Sequence, residues 1–281
     1  MPWRPWCLLV LSSIAACAAD AERAPAPSSP PELGAEDARV VEALRDASAR
    51  GDDLLLDVDA RRALSAEARP TSAHEHAFVP LRVTLIEGGE QKTLGLALDG
   101  RLLPGGDEVL LVSIDGGLWR WSSRRVAPLE DEVVPGLALS PDGARLAYAK
   151  GDPPELDVWE IDLRDGTRRR VTSGDGPEHA PAYSADGATL AWIEYRGDGA
   201  ALVSAGRTVV PRVPVIPDGR RTPVWGRGWV WLHGSGGTVA VEEVTGRTGL
   251  DLGAGGDVIW SANSPVFRST SGEVRAMGGA R

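Results

Sequence analysis

The chain is poor in cysteine: Cys7 and Cys17 are the two present, and none follows position 17. A disulfide framework and a thiolate metal site are therefore excluded for everything downstream. Positive charge is also scarce, with 30 Lys and Arg against 40 Asp and Glu and a formal net charge of −10. Lysine occurs twice (Lys92, Lys150) and asparagine once (Asn263), a skew that reads as coding bias. Phosphate neutralisation needs clustered cations, so no nucleic-acid partner is expected. The one basic run, Arg168-Arg169-Arg170, reads as a solvated edge strand bracketed by Asp162, Asp165 and Asp175. Long apolar runs are missing too. The stretch from Trp6 to Ala16 falls short of the about 20 residues that a membrane span requires.

What the N-terminus does contain is Arg4, that short apolar run, and Ile14-Ala15-Ala16 directly before Cys17. This is the plan of a secretory signal, and its end resembles the lipobox of bacterial lipoproteins. The resemblance implies cleavage before Cys17, a lipid on its thiol, and a mature chain of 40 acidic and 29 basic residues with a formal net charge of −11. Membrane contact is then expected through the lipid anchor alone. Ala18 stands where some inner-membrane lipoproteins carry Asp, which points to the outer membrane, facing the periplasm. Residues 17–34 are rich in Ala, Pro and Ser and read as a tether. Over 35–76 we expect a short helix, with Val40, Val41, Leu44 and Ala47 on one face and Gly51 ending it, then a small cap. "DLLLDVD" within that cap also suits a strand.

From residue 77 to 281 the text changes to β-rich runs broken by Asp-Gly, Gly-Gly and Ser-Gly. An apolar pair followed by a small or turn residue recurs at Leu98, Leu139, Tyr183, Trp225 and Trp260. A spacing near 40 residues with several strands per unit is the mark of a β-propeller, each unit a four-stranded sheet. The fold class expected is all-β, a propeller of five or six four-stranded blades. In the best-marked unit "PGLALS" is the inner strand, followed by "ARLAYAK", "LDVWEID" and "TRRRVT". Alternation places Leu146 and Tyr148 on one face and Ala147 on the other. Trp119, Trp121, Trp159 and Trp192 are expected between blades. For closure, the hairpin Leu81 to Leu94 is expected to share a blade with inner strands from the C-terminus, giving five units, or six if residues 52–80 supply another.

Two turns, Ser140-Pro141-Asp142-Gly143 with Leu146-Ala147-Tyr148 after it, and Ser184-Ala185-Asp186-Gly187 with Leu190-Ala191-Trp192 after it, carry a family resemblance. They are similar to the repeat of TolB-like periplasmic propellers. That resemblance implies a periplasmic, lipid-anchored envelope protein. The units at Leu98, Trp225 and Trp260 lack the Ser-Pro-Asp-Gly turn.

Residues suited to catalysis are few. Ser235 near His233 lacks the nucleophile-elbow spacing. His74 and His76 lack accompanying ligands, and Asp57-Val58-Asp59 lacks a calcium loop's glycine and further oxygens, so it is placed on the surface. Among the inner-strand signatures only Asp99 offers an acid. No cofactor and no metal are expected. The loops entering the inner strands gather at one mouth of a propeller, where partners bind. They bring Glu130, Asp131 and Glu132, then Glu178 and His179, the segment Asp218 to Arg221 with Arg220 and Arg221, and Asp257 after Gly255-Gly256. The partner expected is an envelope protein. The alternative is an envelope hydrolase of esters or glycans with its site at the same mouth.

Overall fold

The computed structural model describes residues 54–59, 61–68, 79–152, 154–196, 199–205, 207–214, 220–226, 228–234, 237–243, 245–251, 257–261, 264–268 and 274–276. The signal segment, Cys17, the tether, the helix expected over 35–50, His74, His76, Asp218 and Ser235 lie outside these residues.

All secondary structure described is β, arranged as five four-stranded blades and one three-stranded sheet. Blade 1 is β1 (Leu54–Val58), β2 (Arg62–Ala68), β3 (Leu81–Glu87) and β4 (Glu90–Ala97). Blade 2 is β5 (Asp99–Leu102), β6 (Val109–Val112), β7 (Leu118–Trp121) and β8 (Val126–Glu130). Blade 3 is β9 (Ala138–Leu139), β10 (Arg145–Lys150), β11 (Asp157–Asp162) and β12 (Arg168–Arg170). Blade 4 is β13 (Glu178–Tyr183), β14 (Leu190–Arg196), β15 (Gly199–Ser204) and β16 (Arg207–Val210). Blade 5 is β17 (Val224–Gly226), β18 (Trp229–Gly234), β19 (Gly237–Glu242) and β20 (Thr248–Asp251), and the last sheet is β21 (Asp257–Ser261), β22 (Ser264–Arg268) and β23 (Val274–Ala276).

First strands touch first strands around the ring: β1 meets β5, β9 meets β13, β13 meets β17, and β21 meets both β17 and β1. They therefore line the axis, and the fourth strands form the outer edges. The five signature positions read from the sequence fall in or directly before these inner strands. Closure differs from expectation. The hairpin of β3 and β4 pairs with β1 and β2, not with C-terminal strands, so the propeller begins upstream of residue 77 and takes in part of the segment read as a cap. The cause is register: "RALSAEA" runs antiparallel to "LRVTLIE" over seven consecutive pairs from Arg62 and Glu87 to Ala68 and Leu81. The C-terminal strands form their own sheet between blades 5 and 1.

Antiparallel order within a blade puts its turns at two ends. The turns after the first and third strands share one end, here called the hairpin end. The turn after the second strand and the connection to the next blade share the other, the linker end. Between these ends the pleat sorts side chains into seams. Leu146 and Tyr148 pack with Leu110, Val112 and Leu118 between blades 2 and 3, whereas Ala147 packs with Ala138 and Tyr183 toward blade 4. Trp121, Trp159 and Trp192 all lie against apolar seam clusters.

The repeated turn has a side-chain lock that explains its recurrence. Ser140 Oγ donates to Asp142 Oδ1 at 2.6 Å, Asp142 accepts from the Ala144 amide, and Ser140 Oγ accepts from the Arg145 amide. Ser184, Asp186, Ala188 and Thr189 repeat the same three bonds. Gly143 and Gly187 have φ of 67° and 69°, the left-handed region that costs any other residue strain. They also leave room for the preceding blade. A Cβ on Gly143 would stand 2.7 Å from Pro104 Cδ, and one on Gly187 would stand 3.1 Å from Pro141 Cδ. Between blades 2 and 3 and between blades 3 and 4 a hairpin-end proline thus packs against the next blade's glycine, and Arg145 Nη2 reinforces the second contact by donating to Gly187 O at 2.6 Å.

This packing separates two otherwise similar glycines. Gly166 has φ of 79° and open space where a Cβ would stand. Urea unfolding of Gly166→Ala is expected to show a loss of about 1 kcal/mol from backbone strain. Gly143→Ala is expected to lose about 2–4 kcal/mol, since the Pro104 clash adds to the same strain. Equal losses in the two variants would show that the proline contact is not part of blade packing.

Candidate functional site

On the axis, a buried charge pair occupies the centre. Asp99, fully buried at the start of β5, accepts from the amides of Gly100, Gly136 and Leu137 and pairs with Arg101 Nη1 at 2.9 Å. Arg101 in turn donates to Leu137 O in the linker to blade 3, to Leu56 O in blade 1, and to Arg220 O in the linker to blade 5. The one acid among the inner-strand signatures is therefore committed to holding blades together. Arg220 lies across the same region, its Nε donating to Leu98 O at 2.8 Å and its Nη2 to Val79 O. Arg221 is buried beside it. Arg220 itself is partly buried. Asp57 and Asp59, expected at the surface, are also structural: Asp57 Oδ2 accepts the Leu102 amide, and Asp59 holds Arg62, which reaches Leu103 O of blade 2.

The acidic residues picked from the loops go to different places. Glu130 turns inward between blades 2 and 3, where it accepts from Lys150 Nζ at 2.7 Å, Arg168 Nε at 2.9 Å and Tyr148 Oη at 3.1 Å. Burial opposes its charge, but the bonds from Lys150, the Asp131 amide and Tyr148 outweigh it and hold the carboxyl below its usual range. Asp131 and Glu132 stay exposed in the linker, with Glu132 at φ 59°. The arginine run is an outer edge strand as expected, yet its partners are Glu130, Glu160 and Asp157, not Asp162, Asp165 and Asp175. Those carboxylates come from strands that only the fold brings alongside.

Glu178 and His179 are neighbours in sequence and separated in space. Successive residues of a strand face opposite sides, so Glu178 enters the seam with blade 3 and His179 the seam with blade 5. Glu178 is buried and accepts from Thr172 Oγ1 at 3.3 Å; desolvation, with the nearby Asp157 and Glu194 carboxylates, raises its pKa. His179 stacks on Tyr195 with ring centroids 5.4 Å apart, its Nε2 3.3 Å from the Tyr195 hydroxyl. Desolvation takes the imidazole down to about 4, so the ring is neutral at physiological pH. Tyr195 is exposed and was missed in the sequence, as was Arg101. Parity was the available signal: Tyr195 lies two residues from Ile193, the cross-strand partner of His179. Asp257 begins β21, and its side chain is outside what is described.

The linker end also differs in apolar exposure. Five large apolar side chains among the described residues are between 41% and 56% exposed: Val79, Leu96, Ile114, Val126 and Tyr195. By strand order all but Val126 lie at the linker end. At the hairpin end a cleft of about 330 Å³ opens between blades 2 and 3, but its charged lining is already paired as Arg120 with Glu108 and Arg164 with Asp142. Among the described residues no group of three or more His, Cys, Asp or Glu converges as a metal site.

No family model matches the chain. Solved structures similar to it include TolB from Acinetobacter baumannii, with 13% identity, a TM-score of 0.51, and coverage of 79% of this chain and 65% of that one. A chain from a nidogen/laminin complex has 13% identity and a TM-score of 0.52 over 70% of this chain and 79% of that one. The tricorn protease has 10% identity and a TM-score of 0.52, with 79% of this chain matching 29% of that one. The chain thus spans less than two thirds of the TolB and tricorn chains. At these identities the likeness shows a common fold, the β-propeller.

Glu130 and Glu178 should respond to pH with opposite sign. The lowered pKa of Glu130 contributes stability above about pH 4, lost as pH falls through its folded value. Glu130→Gln is therefore expected to cost about 1–3 kcal/mol at neutral pH and progressively less in acid. The raised pKa of Glu178 makes the folded state bind the extra proton, so its charged form costs stability as pH rises past about 4. Glu178→Gln should raise the unfolding midpoint at pH 7.5 and leave it unchanged near pH 3.5. Thermal melts across that range check both, and a shift of the same sign in the two variants would refute the assignment.

Proposed function

We propose that this chain is a protein-binding module of the bacterial cell envelope, docking its partner at the linker end of the propeller and tethered to the membrane by a lipid on Cys17. One observation carries the reading: four of the five large apolar side chains exposed among the described residues, Val79, Leu96, Ile114 and Tyr195, lie at one end of the ring. Folded domains keep exposed apolar groups few and scattered, and a concentration at one end marks a contact surface. Glu178 adds to it as a buried acid held at a cost to stability near that end. The TolB-like repeat turns support the compartment, and the nidogen/laminin complex is a case of a propeller solved with another protein. Binding without turnover is the reading favoured by Asp99, whose oxygens are fully engaged in joining blades.

Capture from cross-linked envelopes tests the surface. Wild type and Val126→Ser are expected to enrich the same protein, and a Val79→Ser, Tyr195→Ser double variant to lose it. Undiminished capture by the double variant, or loss with Val126→Ser alone, would place the contact elsewhere. The anchor has its own check: wild-type protein should take up labelled palmitate in a bacterial host and Cys17→Ser should not. Equal labelling of both would remove Cys17 as the attachment point.

A further inference from the structure

The sixth sheet stops one strand short of the others. Each of the five blades has four strands, whereas among the described residues the sixth sheet consists of β21, β22 and β23, so β23 forms its outer edge at the third position. This sheet lies between blades 5 and 1, with β21 against both β17 and β1. The outer strand of blade 1, β4, therefore reaches one position further from the axis than the sheet beside it. A strand added to any other blade would project beyond the ring. One added to β23 would rest against β4.

Parity shows what blade 1 presents there. Leu81, Val83, Leu85 and Ala97 pack with Leu102 and Val109 of blade 2. Arg82 and Leu96, each one residue away from that set and paired across β3 and β4, therefore lie on the opposite face, toward the sixth sheet. On this face burial falls strand by strand. Ala63, Ile86 and Gln91 make one cross-strand row and Ser65, Thr84 and Thr93 the next, and both rows run from buried through half-buried to exposed. The sixth sheet thus covers the inner part of blade 1 and leaves β4 open. In the last row, at the linker end, Leu96 is 48% exposed and Arg82 is exposed beside it. Among the described residues Arg82 forms no ion pair, although Glu67 stands across from it on β2. β23 follows the turn after the second strand of its sheet, so it begins at this same end.

We infer that the outer edge of β23 is a strand-addition site, where an extended segment of another protein becomes the fourth strand of the sixth sheet and covers Leu96. The edge supplies main-chain hydrogen bonds, and the wall of blade 1 supplies side-chain selection. Residues two apart in a strand share a face, so the segment that fits carries an apolar residue for Leu96 and an acidic one for Arg82 at positions i and i+2. The chain's own N-terminal segment suits the position poorly. Residues 17–34 include Pro25, Pro27, Pro30 and Pro31, which cannot donate to a ladder, and residues 35–50 have the apolar period of a helix. This site lies on the rim of the ring, and it stands whether or not a partner docks at the linker end through Val79 and Tyr195.

The probe is a fluorescent peptide in which threonine alternates with valine, glutamate and valine, titrated against the mature chain carrying Cys17→Ser and followed by anisotropy and amide hydrogen exchange. It should bind saturably and slow exchange over Val274–Ala276. Of its two forms methylated at alternate backbone nitrogens, one should bind and the other should not, because an added strand bonds through one edge. Leu96→Ser should weaken binding by about fivefold or more. Arg82→Glu should shift the preference by about threefold from the glutamate peptide toward its lysine counterpart. Val126→Ser, an exposed apolar change on the outer strand of blade 2, should leave binding within about twofold. Circular dichroism of each variant guards against misfolding. Absence of saturable binding, unchanged exchange over Val274–Ala276, or equal behaviour of the two methylated forms would overturn the site. Protection of these amides without peptide would also overturn it, giving the position to the chain's own N-terminal segment if deletion of residues 17–50 removes it and to a second copy if dilution does. The linker-end reading is tested separately by envelope capture with the Val79→Ser, Tyr195→Ser variant, so either can fail alone.

Discussion

The Asp99–Arg101 pair is the interaction on which the ring depends. Radial sheets bury their faces against one another, but their inner strands meet at an axis where backbone groups have no further strand to bond. Asp99 satisfies three amides there, and Arg101 answers with bonds to carbonyls in the segments of blades 1, 3 and 5. A guanidinium suits the task because its donors fan out in a plane and stay charged when buried. A lysine would offer one point of charge and could not span those separated oxygens. The cost of burying Arg101 is met by the buried carboxylate beside it, so the two stand or fall together.

Away from the axis, the seams repeat the same solution in weaker form. Tyr148 donates to Glu130 between blades 2 and 3, and Tyr183 donates to Glu160 at 2.7 Å between blades 3 and 4. Each carboxylate also takes a cation from the outer edge, Arg168 for Glu130 and Arg169 for Glu160. The outer strand of blade 3 thereby serves two purposes. Its arginines keep an exposed edge polar and unattractive to other strands, and they neutralise acids tucked behind it.

The two ends of the molecule divide the remaining tasks. Across blades 2, 3 and 4 the hairpin end is closed by a proline of one turn on the glycine of the next, with Ser-Asp locks holding the Ser140 and Ser184 turns in shape. Such a surface is self-satisfied. The linker end carries longer connections and receives the apolar groups that the seams leave over. A binding surface there can vary at its exposed positions, while linker residues such as Leu98, Val133, Leu137 and Val213 stay buried in the seams. This is the physical sense in which one propeller fold hosts unrelated contacts.

Repetition and parity were legible in the residues themselves. The spacing near 40, the Ser-x-Asp-Gly turns and the alternation in "ARLAYAK" determined the architecture, the phase of the inner strands and the faces of Leu146, Tyr148 and Ala147, since strand pleat and turn conformation are local properties. The Trp positions in seams followed from the same alternation. What only the tertiary structure decided is which distant groups meet. Glu130 reads as a free loop acid until Lys150, Tyr148 and Arg168 arrive from another blade. Glu178 and His179 read as a pair until the sheet sends them to opposite seams, and Asp99 reads as a possible acid catalyst until four donors enclose it. The closing strands went astray for the same reason: an antiparallel register is chosen by competition among strands far apart in the chain, and no local pattern near Leu81 records which competitor wins.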